Sequence, residues 1–226
     1  MPMFDYLKAS MQQMGQKLLP CRLCESSPRL KHYVLCKSCW QQLPWLKQPI
    51  NRHELQIMAA CYYHYPLDRI LQQFKYEQKL HHQPLLDQLL AQIKHPKVQA
   101  IVPMPISDAR LIERGYNQSL LLAQQLAKKL NIPIWQPIHR LEQHSQKGLN
   151  RLERIQGIEQ QFVVLEKPRI RYRKVLIIDD VVTTGSSIYA LHQALQQLGC
   201  QQIHACCIAA ATDKTAKFAN NLDTMA

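Results

Sequence analysis

The chain has 226 residues, 46% of them hydrophobic, and a formal net charge of +12. That apolar content supports a packed core and excludes wholesale disorder, and no apolar run reaches the ~20 residues that cross a bilayer. The positive charge favours phosphate-bearing partners, either nucleic acid or small phosphorylated ligands, although excess lysine and arginine also serve solubility.

Residues 1–18 carry Leu7, Met11, Met14 and Leu18 at helical spacing, which predicts a helix docked on the rest of the protein. Asp5 and the absence of an apolar stretch there speak against a secretory signal, so a cytoplasmic protein without membrane insertion is expected. Two C-x-x-C pairs follow, Cys21/Cys24 and Cys36/Cys39, separated by 11 residues. Reduced thiols make a poor disulfide framework. Four thiolates can instead close a tetrahedral shell around one zinc ion, which is structural because no position is left for water. An iron–sulfur cluster, a redox pair and four unrelated buried cysteines are the competing readings. The zinc module is placed at 19–48, with Pro44 and Pro49 punctuating its end. Cys61, Cys200, Cys206 and Cys207 lie in apolar segments and read as core cysteines.

A main domain is expected over 50–212. "LQIMAACYYHY" (55–65) suits a strand or hairpin. Leu67, Ile70, Leu71 and Phe74 have helical spacing, and "PLLDQLLAQIK" (84–94) predicts a second helix opening on its proline. "VQAIVPMP" (98–105) reads as a strand ended by prolines. Leu122, Ala123, Leu126, Ala127 and Leu130 mark an amphipathic helix. "RKVLIID" (173–179) has the β-branched character of a buried parallel strand. Leu191, Ala194, Leu195 and Leu198 mark the next helix, with Gly199 at its C-terminal cap, before the strand "QIHACCIAA" (202–210). Strands alternating with helices give an α/β fold with a mostly parallel sheet. Residues 213–226 are expected to form a flexible tail.

The connection between the 173–179 strand and its helix carries the chemistry. It lies at the carboxyl end of a parallel strand, where α/β folds place ligands. Thr183, Thr184, Gly185, Ser186 and Ser187 are small enough to bring backbone N–H groups close to a ligand, and the following helix points its positive end there. A phosphate monoester fits such a loop. Asp179 and Asp180 repel phosphate, so they face a different part of the ligand, and sugar hydroxyls are suitable donors to them. No Walker A motif and no dinucleotide fingerprint is present.

"VLIIDDVVTTGSS" (175–187) resembles the signature of the type I phosphoribosyltransferases, with Ser187 where that family usually has threonine. The resemblance implies a ligand, phosphoribosyl pyrophosphate, with Asp179 and Asp180 as the catalytic acids on its ribose hydroxyls and 183–187 on its 5-phosphate. Over most of the chain, the four-cysteine segment, "FKYEQK" (74–79), "VPMP" (102–105), "RLIERGYNQSLLLAQQLA" (110–127) and that signature occur in the order seen in the ComF family. This similarity implies a type I phosphoribosyltransferase fold with a small zinc module, and a role in DNA uptake during natural transformation or in use of external DNA. An active transferase with an unidentified acceptor and a phosphoribosyl pyrophosphate-sensing module are the alternatives.

Such a ligand needs a second anion loop. Arg110, Arg114 and Asn117, near the start of a helix, are candidates for pyrophosphate, with solvated arginines as the plain alternative. Lys75 and Tyr76 approach the same pocket by family resemblance alone. Magnesium is expected to arrive with the ligand, because it keeps oxygen donors and waters. Segment 139–156 is a candidate cover for the site. Arg169, Arg171 and Arg173 alternate with Ile170 and Tyr172. If extended, the three arginines share one face at about 6.7 Å spacing, suited to a single-stranded DNA backbone, with Tyr172 as a stacking platform. A solvated edge strand is the competing reading.

Overall fold

A computed structural model of the chain describes residues 19–141, 162–164 and 171–212. The expected N-terminal helix, Arg169, residues 142–156 and the tail lie outside them. The chain divides into two compact units between Pro44 and Trp45.

The first unit folds around its cysteines. A bridge pairs Pro20 with Pro28, and helix α1 (Lys37–Gln41) opens on Cys36. Val34, Leu35 and Leu43 are buried beside Cys21, Cys36 and Cys39. Among the described residues these three apolar side chains are a meagre core, and units of this size usually need a metal or a disulfide to stay folded.

The second unit is built on a five-stranded sheet ordered β1–β2–β7–β6–β3. The strands are β1 (Ile50–Arg52), β2 (Leu55–Tyr62), β3 (Ala100–Pro103), β6 (Lys174–Val182) and β7 (Gln202–Ala210). β1 is antiparallel to β2, and the other neighbours are parallel. A separate antiparallel pair joins β4 (Ile138–Arg140) to β5 (Phe162–Val164).

The helices are α2 (Leu67–Tyr76), α3 (Gln83–Leu90), α4 (Asp108–Arg114), α5 (Gln118–Leu130) and α6 (Ser186–Gln197). Alternate strand residues Ile57, Val102, Val175, Ile177 and Cys207 pack with Ile188, Leu191 and Leu195 of α6 on one face. The intervening Ile101, Leu176, Ile178, Cys206 and Ile208 are buried on the other, where α3 and α5 pack. Cover on both faces explains why β6 reads as a continuous apolar run rather than an alternating one. Each fully buried Leu or Ile there contributes roughly 1.5–3 kcal/mol.

Three expectations change in detail. The 55–65 strand gains a short antiparallel partner, β1. The 84–94 helix runs from Gln83 to Leu90, after which the Gln92 and Ile93 N–H groups turn to the Leu89 and Leu90 carbonyls in tighter three-residue bonds, and the His95 ring donates to the Leu90 carbonyl at 3.0 Å. Residues 171–173 form no strand, and β6 begins at Lys174. Tyr172 turns its ring edge-on to Trp135, with centroids 5.3 Å apart, which anchors it in the core.

Candidate functional site

The carboxyl ends of β3 and β6 open into one cavity of about 200 Å³. Asp179, Asp180, Thr183, Thr184, Gly185, Ser186 and Ser187 line it, together with Arg110, Arg114 and Asn117. Ser119, Lys75 and Tyr76 join them, as do Tyr63 and Arg140. Sequence reading gave no signal for Tyr63, just past the end of β2, whereas Arg140, in the β4–β5 pair, falls within the 139–156 segment expected to cover the site. Exposed Arg171 and Arg173 do not line it.

Asp180 is 4% exposed, and its Oδ2 faces Lys75 Nζ at 3.4 Å. Its Oδ1 accepts the Val181 N–H at 2.8 Å. Asp179 Oδ1 accepts the Asp180 N–H at 2.9 Å and the Ser119 hydroxyl at 3.0 Å. Burial, then the charge on Asp180, pushes the Asp179 carboxyl up to about 7, against the opposing pull of Lys75 and Ser119. Two carboxylates with one ammonium between β6 and α2 make a site that takes donors: sugar hydroxyls, or a cation.

The loop after β6 turns at Gly185, whose φ of +84° is left-handed. A β-carbon there would stand 2.6 Å from Arg52 Cβ, so glycine is required both by conformation and by space. Arg52 ties the loop from behind: Nε donates to the Thr183 carbonyl and Nη2 to the Ala211 carbonyl, each at 3.1 Å. His53 Nε2 lies 3.2 Å from Ser186 Oγ, which lies 3.0 Å from Thr184 Oγ1. Arg52 and His53 are functional neighbours that sequence reading missed. Their partners sit more than 130 residues away, and no local pattern signals such a contact.

The basic loop is more structural than its composition suggests. Asn117 caps α5: its Oδ1 accepts the Leu120 N–H at 3.1 Å and its Nδ2 donates to the Met104 carbonyl at 3.0 Å. One amide hydrogen is left for a ligand. Arg114 is 7% exposed, so it is not a solvated surface cation; its guanidinium stands 4.9 Å from the Tyr76 ring centroid. The Tyr116 hydroxyl donates to the Phe74 carbonyl and Gln118 Nε2 to the Lys75 carbonyl, which bolts the end of α2 to this loop. Gly115 takes φ +79°, yet a β-carbon there would meet nothing within 4 Å, so conformation alone selects it.

In the first unit, the four sulfurs of Cys21, Cys24, Cys36 and Cys39 lie within 4.8 Å of one another. The Cys24 and Cys36 sulfurs are 3.8 Å apart, and a tetrahedron with metal–sulfur bonds of about 2.3 Å has edges of about 3.8 Å. Backbone N–H groups of Leu23 and Cys39 point at Cys21 Sγ (3.4 Å) and Cys36 Sγ (3.5 Å), as thiolate ligands require. Burial raises the Cys21 thiol, but hydrogen bonding at Cys24, Cys36 and Leu23 outweighs it and lowers it to about 6. The donor set fits a closed zinc shell. By contrast, burial pushes Cys61 up to about 12 and Cys200 up to about 11, as befits inert core thiols.

Residues 116–223 match the phosphoribosyl transferase domain family. The chain is 33% identical over 198 residues to competence protein F of Haemophilus influenzae, covering 81% of each chain. It is 28% identical over 192 residues to the DNA utilization protein YhgH of Escherichia coli K12, covering 80% of each. Among solved structures, it is similar to the adenine phosphoribosyltransferase of Saccharomyces cerevisiae, at 18% identity and a TM-score of 0.37, over 62% of this chain and 73% of that one.

Proposed function

We propose a function from one premise: the chain belongs to the ComF competence-protein family, and it carries a type I phosphoribosyltransferase domain. On that basis the protein acts in DNA uptake or in the use of external DNA, and binds phosphoribosyl pyrophosphate together with magnesium. The observation that carries this reading is the convergence on one cavity of a small-residue loop at a helix N-terminus, an acid pair and two arginines. The loop 183–187 would take the 5-phosphate, Asp179 and Asp180 the ribose hydroxyls, and Arg110 and Arg114 the pyrophosphate.

The acid pair also fits a divalent cation. Asp180 Oδ2 is buried with the Lys75 ammonium 3.4 Å away as its charge partner, so a cation binding there would share that oxygen with Lys75 or displace it. Magnesium, when bound with the ligand, would neutralise the pyrophosphate. The chain's own residues would then orient the ribose and withdraw water from it.

Calorimetry with phosphoribosyl pyrophosphate should show binding that requires magnesium and is weakened at least tenfold by Asp180→Asn. Absence of heat at millimolar ligand would sink the reading. The intact acid pair beside a basic loop also favours an active transferase. In that reaction the ribose C1–oxygen bond to pyrophosphate breaks, the oxygen keeps the electron pair, and an acceptor nucleophile bonds to C1 and loses its proton. A pyrophosphate-release assay with a panel of bases separates transferase from binder. Single-stranded DNA handling through Arg171 and Arg173 is a further part of the proposal, supported by their exposure at the start of β6.

A further inference from the structure

We propose that His53, at the tip of the β1–β2 hairpin, is a positioning residue that aims the Ser186 hydroxyl at a ligand's phosphate. The proposal rests on the reading of residues 183–187 as a phosphate loop. His53 does not line the cavity; it reaches the loop from behind and acts through Ser186. A phosphate dianion accepts hydrogen bonds and donates none, so every group that touches it must donate. Ser186 has a single hydroxyl hydrogen and lies between two neighbours, His53 Nε2 at 3.2 Å and Thr184 Oγ1 at 3.0 Å. If that hydrogen goes to a phosphate, the Ser186 oxygen is best satisfied by accepting from His53. A donating Nε2–H therefore sets the direction of the relay, and a donor chain of this kind strengthens the terminal hydrogen bond.

Two observations mark the arrangement as built rather than incidental. His53 (φ +46°) and Glu54 (φ +64°) both take left-handed backbone in the two-residue turn. Such turns favour Asn-Gly, and non-glycine residues held there cluster at functional sites. The hairpin is also fixed against the loop by Arg52, whose guanidinium grips the Thr183 carbonyl, and the His53 ring lies 5.3 Å from the Tyr189 ring of α6. A hairpin that needed only to close β1 onto β2 would require neither contact.

The test uses ribose 5-phosphate and inorganic pyrophosphate as probes on the full chain. His53→Asn suits positive φ but is too short to reach Ser186; it should keep or raise the melting temperature. It should weaken ribose 5-phosphate binding by about five-fold or more and leave pyrophosphate binding unchanged. His53→Gln, whose amide nitrogen can reach Ser186, should restore affinity to within about two-fold of the wild type. In a Ser186→Ala background, His53→Asn should cost nothing further. The inference fails if His53→Asn binds ribose 5-phosphate as the wild type does. It also fails if both ligands weaken together without rescue by glutamine. A wild-type protein that binds no ribose 5-phosphate at millimolar concentration would overturn the phosphate loop itself, and the inference with it.

Discussion

At the scale of single residues, Asp179 couples stability to pH and, on the proposed function, to ligand capture. Its carboxyl is raised from the ordinary 3.8 to about 7, chiefly by burial and then by Asp180. An acid raised on folding holds its proton in the folded protein at pH values where the unfolded chain has released it. Its contribution to stability is therefore fully present below 3.8 and is lost as pH rises toward about 7. Asp179→Asn removes that loss. Its melting temperature should exceed that of the wild type above pH about 7 and coincide with it near pH 3, as thermal melts across pH would show. The same substitution should abolish magnesium-dependent phosphoribosyl pyrophosphate binding, since an ionised acid is what ribose hydroxyls seek; wild-type affinity should rise between about pH 6 and pH 8. Gly185→Ala acts in the other direction. Left-handed φ penalises alanine by roughly 1–2 kcal/mol, and contact with Arg52 Cβ at 2.6 Å adds to it. Both melting temperature and ligand affinity should drop, and an unchanged melt would contradict the steric account.

Elements matter here as devices that bring remote groups together. β6 carries the acid pair, α6 opens on the 183–187 loop, and α4 and α5 present Arg114 and Ser119 from the adjoining β3 connection. The end of α2 supplies Lys75 and is bolted to that connection through Tyr116 and Gln118. Rigid strands place side chains more accurately than free loops do, so weakening β6 should harm the site and the fold together. Ile177→Ala, at a fully buried position, should destabilise by about 2–5 kcal/mol in denaturant titrations. The cysteine unit is a separate case, because few apolar side chains are buried among its described residues and a metal held by the four cysteines would supply the missing stability. Elemental analysis of protein purified without chelators should find about one zinc per chain. Cys24→Ser should lose most of that metal, and retention of a full equivalent would argue against a four-sulfur shell.

At the scale of the whole molecule, the charge of +12 draws in polyanions, but it does not say where they dock. If exposed Arg171 and Arg173 track a DNA strand, replacing both with alanine should weaken single-strand binding and lower the salt slope by about 1–2. An identical slope would move the contact elsewhere. Much of the architecture was legible in the residues themselves. Apolar, β-branched runs and period-3.6 hydrophobicity placed most strands and helices, and paired C-x-x-C spacing marked the four cysteines whose sulfurs the fold gathers. The run from Val175 to Ser187 marked a buried strand that ends in a loop, and that loop lines the cavity. These features are local, because each depends on neighbours within one or two turns of chain. Arg52 against Gly185, His53 on Ser186, Ser119 on Asp179 and Lys75 on Asp180 depend on pairings across 60 to more than 130 residues. Tyr172 could be read as an open platform until Trp135 occupied its ring edge. Sequence alone thus determined which groups the protein can offer, whereas sheet order decided which of them meet. Backbone pairing brings distant segments within hydrogen-bonding reach, and no short-range pattern encodes which segments those are.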